Sequence, residues 1–127
     1  PGGQLQFSRY NLQQSGTSGP ISELQAWILQ NLTADLCVEN LAERVAMSPR
    51  NFTRVFTRDA GASPARYVAE ARLAAARQLL EQTNDSLELI AGRSGFGTSI
   101  NLRRVFEKQL HLTPGEYRQR FHCRKMA

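Results

Sequence analysis

No apolar run in this chain approaches the roughly 20 residues that a transmembrane helix needs, although 41% of its 127 residues are hydrophobic. That distribution predicts a soluble protein. The start, Pro1-Gly2-Gly3-Gln4, has neither an initiating Met nor the charged-apolar-small order of a secretory leader. It reads as a cut within a longer chain, so an N-terminal part is expected to be missing. The only cysteines, Cys37 and Cys123, are too few for a disulfide framework; they favour a reducing compartment, with the cytoplasm as the expected location. Both histidines fall late, and His111, His122 and Cys123 have no fourth ligand near them in sequence, so no metal is expected. Nor can a Ser/His/Asp or Cys/His set be assembled from them, so no catalytic residue, enzymatic activity or cofactor is anticipated. A strand-like period of two is also missing, which points to an all-α fold.

What the chain does have is positive charge, unevenly placed. The net charge is +5 and the isoelectric point about 9.9. Residues 1–49 carry Arg9 and Arg44 against Glu23, Asp35, Glu39 and Glu43, a net of −2, so the remaining 78 residues carry +7. A basic segment of this kind attracts polyanions, nucleic acid among them.

Residues 1–20, rich in Gly, Gln and Ser without a sustained period, read as a flexible linker. Ile21, Leu24, Trp27, Ile28 and Leu32 then step by three or four, the pattern of an amphipathic helix closing near Asn31-Leu32. On that spacing Trp27 is a core residue. A shorter helix follows at about 38–45, with Cys37 where an oxygen-bearing cap would serve better. Ser48-Pro49, Ser63-Pro64 and Thr113-Pro114 each set a capping hydroxyl before a proline suited to the first turn, and Glu116 completes a capping box with Thr113. From 63 to about 81 the run of Ala, Leu, Arg, Glu and Gln is strongly helix-forming, a rod of roughly 27 Å at 1.5 Å per residue. Short helices are predicted at about 86–93 and from 113 to about 120, followed by a tail at 122–127.

The chain also repeats itself. LAERVAMSPRNFTRVF (41–56) and IAGRSGFGTSINLRRVF (90–106) share a pattern, with one extra residue in the second turn. Ala42 and Arg44 match Ala91 and Arg93 at an offset of 49, whereas Arg54, Val55, Phe56, Pro64 and Tyr67 recur as Arg104, Val105, Phe106, Pro114 and Tyr117 at an offset of 50. Each copy is a short helix, a turn of small residues and a second helix with apolar residues on one face, which is a helix-turn-helix. On the outer faces Arg50, Arg54 and Arg58 form one stripe; Asn101, Arg104 and Lys108 form another, beside Ile100 and Arg103. Arg pairs with guanine and Asn with adenine in a major groove, and the helix starts at Ser48 and Thr98 offer amides to phosphates. A single stripe of this sort is ordinarily a solvated helix face; the second copy favours recognition. The GFG turn lacks the Lys-Ser/Thr ending of a P-loop and follows no strand.

Two such units about 50 residues apart, an Ala/Leu/Arg-rich helix between them, Gly95-Phe96 in the second turn and Pro114-Gly115-Glu116-Tyr117-Arg118 near the end resemble the DNA-binding domain of AraC-family transcription regulators. The resemblance runs from about Ile21 to Phe121. PGGQLQFS is similar to the junction in a subgroup whose N-terminal domain resembles class I glutamine amidotransferases.

The resemblance implies an all-α domain over 21–121 with about seven helices: two helix-turn-helix subdomains, at about 38–60 and 86–110, joined by a long central helix at 63–81. It implies sequence-specific binding of double-stranded DNA in successive major grooves, as part of a bacterial transcription regulator, activator or repressor. Arg50, Thr53, Arg54, Ser99, Ile100, Asn101, Arg103 and Arg104 would contact bases; Ser48, Arg58, Thr98 and Lys108 would contact phosphates. RNA polymerase is an implied partner, with effector binding and dimerisation assigned to the missing part. Ile100 departs from the hydrogen-bonding residues common at its position, and Cys37 from the usual cap. The alternative from the residues alone is a helical interaction module whose basic face meets an acidic protein.

Overall fold

The computed structural model describes residues 19–126, with side chains described through His122. The tract carrying the linker reading and the PGGQLQFS resemblance, up to Ser18, lies outside the described residues, as do the Cys123 side chain and Ala127. Every regular element among the described residues is an α-helix: α1 (Pro20–Gln30), α2 (Val38–Arg44), α3 (Pro49–Ala60), α4 (Pro64–Gln82), α5 (Leu87–Ser94), α6 (Ser99–Leu110) and α7 (Pro114–Met126). The fold is all-α, with two helix-turn-helix units joined by a long central helix. None of these helices is long and apolar enough to cross a membrane.

The helices begin where side chains can satisfy the first backbone donors. Ser48, Ser86 and Thr98 accept from Asn51, Leu89 and Asn101 amides at 3.3, 3.1 and 3.1 Å. Ser63 accepts from the Arg66 amide at 3.2 Å, and Thr113 and Glu116 bond each other's amides reciprocally at 3.0 Å, completing the capping box. Cys37 contributes no side-chain cap; Asp35 supports the start of α2 by accepting from the Cys37 amide at 3.3 Å.

Two boundaries differ from the sequence reading. Pro20 is not linker but the first residue of α1, where its missing N–H costs nothing. Nor do residues 122–126 of the expected tail stand apart: α7 continues to Met126, because no Gly or Pro after Gly115 stops it.

The described residues divide into two compact units, the first ending at Ala71 and the second beginning at Arg72. In the first, Ile21, Leu24 and Ile28 of α1, Leu41 of α2, and Phe52 and Phe56 of α3 are buried together with Tyr67 and Val68 from the start of α4. In the second, Ala76 and Leu80 from the end of α4 are buried with Ile90 and Ala91 of α5 and Leu102 and Phe106 of α6. The central helix therefore does more than space the units: its first turns complete one core and its last turns open the next. In each unit a tyrosine from the following helix meets the inner aromatic of the second helix edge-on. The centroids are 5.4 Å apart for Phe56–Tyr67 and 5.7 Å for Phe106–Tyr117. Trp27 is only partly buried, with the Arg44 guanidinium 3.7 Å from its ring centroid, a cation–π contact the periodicity did not foretell.

The two turns close on equivalent carbonyls. Met47 N–H donates to Ala42 O in the first and Gly97 N–H to Ala91 O in the second, both at 3.0 Å, so the inserted residue is absorbed inside the turn. Ala46 and its counterpart Gly95 both take positive φ, 57° and 94°. That region costs an alanine roughly 1–2 kcal/mol and a glycine little.

The end of α4 is closed from a distance in sequence. Arg118 donates to the carbonyls of Leu80, Thr83 and Asp85 at 3.3, 3.0 and 2.8 Å, capping orphan carbonyls with a charged fork. Beside it, Tyr117 donates its hydroxyl proton to the Glu81 carboxylate and accepts from Arg77 Nε at 3.4 Å. Burial and the Glu81 carboxylate push the Tyr117 hydroxyl above its ordinary pKa. In the first unit the fully buried Tyr67 hydroxyl bonds the Gln25 side chain, and burial pushes its pKa up to about 12.

Three outcomes follow for stability. Ala46→Gly should raise unfolding free energy by about 0.5–1 kcal/mol and Gly95→Ala lower it by about 1 kcal/mol; equal effects of the two in denaturant titrations would contradict the turn geometry. Arg118→Ala should cost about 1.5–3 kcal/mol, and Arg118→Lys should recover only part, since an ammonium cannot reproduce the planar fork. For Tyr67 the folded state keeps a proton that the unfolded state releases near pH 10, so its contribution is full below about pH 10 and lost as pH rises to about 12. Thermal melts of Tyr67→Phe should show a shallower alkaline decline than the parent, and parallel declines would refute this.

Candidate nucleic-acid interface

In both units the second helix buries one face and leaves the opposite face to solvent. Phe52 and Phe56 in α3, and Leu102 and Phe106 in α6, are fully buried. At 3.6 residues per turn, this fixes which side chains point outward. On α3 these are Arg50, Asn51, Arg54 and Arg58, all exposed, with Thr53 half-buried at the edge. On α6, Ile100, Arg103, Arg104 and Lys108 are exposed, and Ser99 and Asn101 are half-buried. The sequence-predicted set thus falls on two helix faces, one in each unit.

The surroundings separate these residues. Arg58 pairs with Asp59 at 3.0 Å and Arg103 approaches Glu107 at 3.6 Å, all well exposed, so each cation is partly balanced by its own helix. Arg50 and Lys108 make no ion pair or hydrogen bond among the described residues. Arg54 donates to Asn51 Oδ1 and Arg104 to Asn101 Oδ1, both at 2.7 Å. Asn51 was not singled out by the sequence reading, although it recurs as Asn101 at the offset of 50 that Arg54 and Arg104 obey.

Ile100 is 80% exposed, far more than Leu89 at 49% or Leu29 at 37%. A β-branched side chain so exposed stabilises neither the core nor the helix. Its counterpart in α3 is Arg50, so the two outward faces differ chemically just where each helix begins.

The helix starts also offer unequal sets of amides. Pro49 removes one donor and the Ser48 cap occupies the Asn51 amide, which leaves the Arg50 N–H in the first turn of α3. Thr98 caps the Asn101 amide and Ser99 replaces the proline, so Ser99 and Ile100 both present N–H groups. Anions are favoured at both ends, more so at α6. No group of three or more His, Cys, Asp and Glu able to hold a metal is found among the described residues.

Comparison with known proteins bears on this arrangement. Residues 41–120 match the model of a family described as Helix-turn-helix domain. The chain is 48% identical over 84 residues to the HTH-type transcriptional regulator Rv1931c of Mycobacterium tuberculosis, covering 66% of this chain and 32% of that protein. It is 32% identical over 99 residues to the HTH-type transcriptional activator RhaS of Salmonella schwarzengrund, covering 78% and 36%. The chain thus spans about a third of the length of these relatives. Among solved structures it is similar to the DNA-binding domain of AdpA, a global transcriptional factor, in complex with a target DNA. There the TM-score is 0.80 and the identity 37%, over 84% of this chain and 96% of that one. A transcriptional regulator from Chromobacterium violaceum with an AraC-type DNA-binding domain gives a TM-score of 0.71 at 29% identity, covering 84% and 96%. With its repeated helix-turn-helix, its outward basic faces and these matches, the chain belongs to the AraC-type helix-turn-helix DNA-binding domains of transcription regulators.

Proposed function

We propose that α3 and α6 read two successive major-groove segments of one duplex, so that a single copy recognises an asymmetric half-site. The observation that carries this reading is the repeat itself: two helices in the same frame, each with its aromatic side buried and its basic side outward. The AdpA domain, 37% identical, was solved in complex with a target DNA.

On this reading Arg50, Thr53 and Arg54 of α3, and Ser99, Ile100, Arg103 and Arg104 of α6, contact bases, with Asn101 on the same face bonded to Arg104. Arginine suits guanine O6 and N7; Ile100 suits the C5-methyl of thymine, the apolar feature a major groove presents. Arg58, Lys108 and the amides beside Ser48 and Thr98 contact phosphates, which positions the domain without specifying sequence. Steering by the basic surface precedes both. In the whole protein the domain delivers a bacterial transcription activator to promoters, where RNA polymerase is the partner, in the cytoplasm and without enzymatic activity of its own. Effector sensing and dimerisation belong to a part of the protein beyond this chain.

Selection of randomised duplexes by this chain, followed by a salt titration on the preferred site, tests the reading. Two preferred patches about one helical turn apart, with affinity falling steeply in salt, are expected. On that site Arg54→Ala or Arg104→Ala should cost roughly 1–3 kcal/mol and relax preference locally. Lys108→Ala should weaken all sites alike and reduce the salt slope by about 1. Uniform losses from all three variants would overturn the role assignment. Salt-sensitive binding with no preferred sequence would instead leave a basic module for an acidic protein.

A further inference from the structure

The outward faces of α3 and α6 share one side-chain contact at the same register. Asn51 Oδ1 accepts from Arg54 Nη2 at 2.7 Å, and Asn101 Oδ1 accepts from Arg104 Nη2 at 2.7 Å. In both cases the asparagine's own amide N–H is held by the helix cap, Ser48 or Thr98. Asn101 is committed further: its Nδ2 donates to Phe96 O at 3.1 Å, in the turn before the helix. Asparagine reads adenine by presenting its oxygen and its nitrogen together to one base edge. Here the turn holds one end of the Asn101 amide and Arg104 the other, and the residue is half-buried.

The identity of the acceptor matters as well. Arg58 and Arg103 lie against carboxylates, which offset their charge and would face the electronegative groove edge unfavourably. Arg54 and Arg104 lie against neutral carboxamides, which restrict the arginine while leaving its charge uncompensated. An exposed arginine samples many rotamers and loses that freedom on docking; a partner one turn back removes part of that loss before DNA arrives.

We propose that Asn51 and Asn101 are positioning residues, each holding the arginine three residues on in the orientation that meets a guanine, and that Asn101 does not itself read a base. This rests on the reading of α3 and α6 as major-groove helices.

The test uses the whole 127-residue chain and its selected duplex. Each base pair is substituted in turn, and binding is measured for the parent, Arg104→Ala, Asn101→Ala and the double variant. Asn101→Ala should relax preference at the same base pair as Arg104→Ala, by roughly threefold to tenfold, and add little once Arg104 is gone. Relaxation at a different base pair carrying adenine would make Asn101 a reader and overturn the proposal. So would an equal loss at every position, the mark of a purely structural role. Because Asn101 also ties down the turn, the comparison is repeated with Asn51→Ala and Arg54→Ala, since the side-chain nitrogen of Asn51, Nδ2, makes no hydrogen bond among the described residues. If Arg54→Ala and Arg104→Ala relax no base pair, the major-groove reading itself fails, an outcome separate from failure of the asparagine role.

Discussion

Each unit depends on the edge-on contact between the last inner aromatic of its second helix and the tyrosine of the helix that follows. Phe56 against Tyr67, and Phe106 against Tyr117, set the rotation of α3 and α6 about their own axes. Once that rotation is set, helical periodicity decides what faces water: arginines on α3, and Ile100, Arg103, Arg104 and Lys108 on α6. The tyrosines are placed in turn by buried prolines at Pro64 and Pro114, which start the following helices. Each hydroxyl then finds a polar partner within its unit, Gln25 for Tyr67 and Arg77 with Glu81 for Tyr117. Buried aromatics contribute both area and geometry, and here the geometry orients the outward surface.

The repeat also explains why a 19-residue central helix lies between the units. Its Tyr67 plays the part in the first core that Tyr117 plays in the second, while Ala76 and Leu80 serve the second core as Ile21, Leu24 and Ile28 serve the first. One helix closes one unit and opens the next. The two copies nevertheless differ on their outward faces: Arg50 against Ile100, Thr53 against Arg103, and Pro49 against Ser99 at the helix start. Similar frames therefore carry different outward chemistry, which suits two unlike segments of one site.

Much of this was legible in the residues alone. Hydroxyls before prolines marked the starts of α3, α4 and α7, and the offsets of 49 and 50 located both turns and their difference in length. What escaped were features decided by partners rather than by periodicity. Pro20 begins α1 because a first-turn proline needs no donor, and α7 runs on to Met126 because nothing in its sequence stops it. Arg118 matched a family signature, but its three bonds, to Leu80 near the end of α4 and to Thr83 and Asp85 just past it, span more than 30 residues, beyond the reach of any local pattern. Asn101 was read as a base contact from its type and stripe. Its bonds to Phe96 and Arg104 depend on the shape of the turn, which composition does not specify. Asn51 carried the one overlooked signal, recurrence in register with Asn101.

On the proposed reading, one copy of this domain places two arginine-bearing helices in successive major-groove segments. Dimethyl sulfate protection on the preferred duplex tests it most directly, because the reagent reports guanine N7, the atom that arginine covers. Two clusters of protected guanines about 10 base pairs apart are expected, the first lost with Arg54→Ala and the second with Arg104→Ala. A single cluster, or protection unchanged by either substitution, would contradict it.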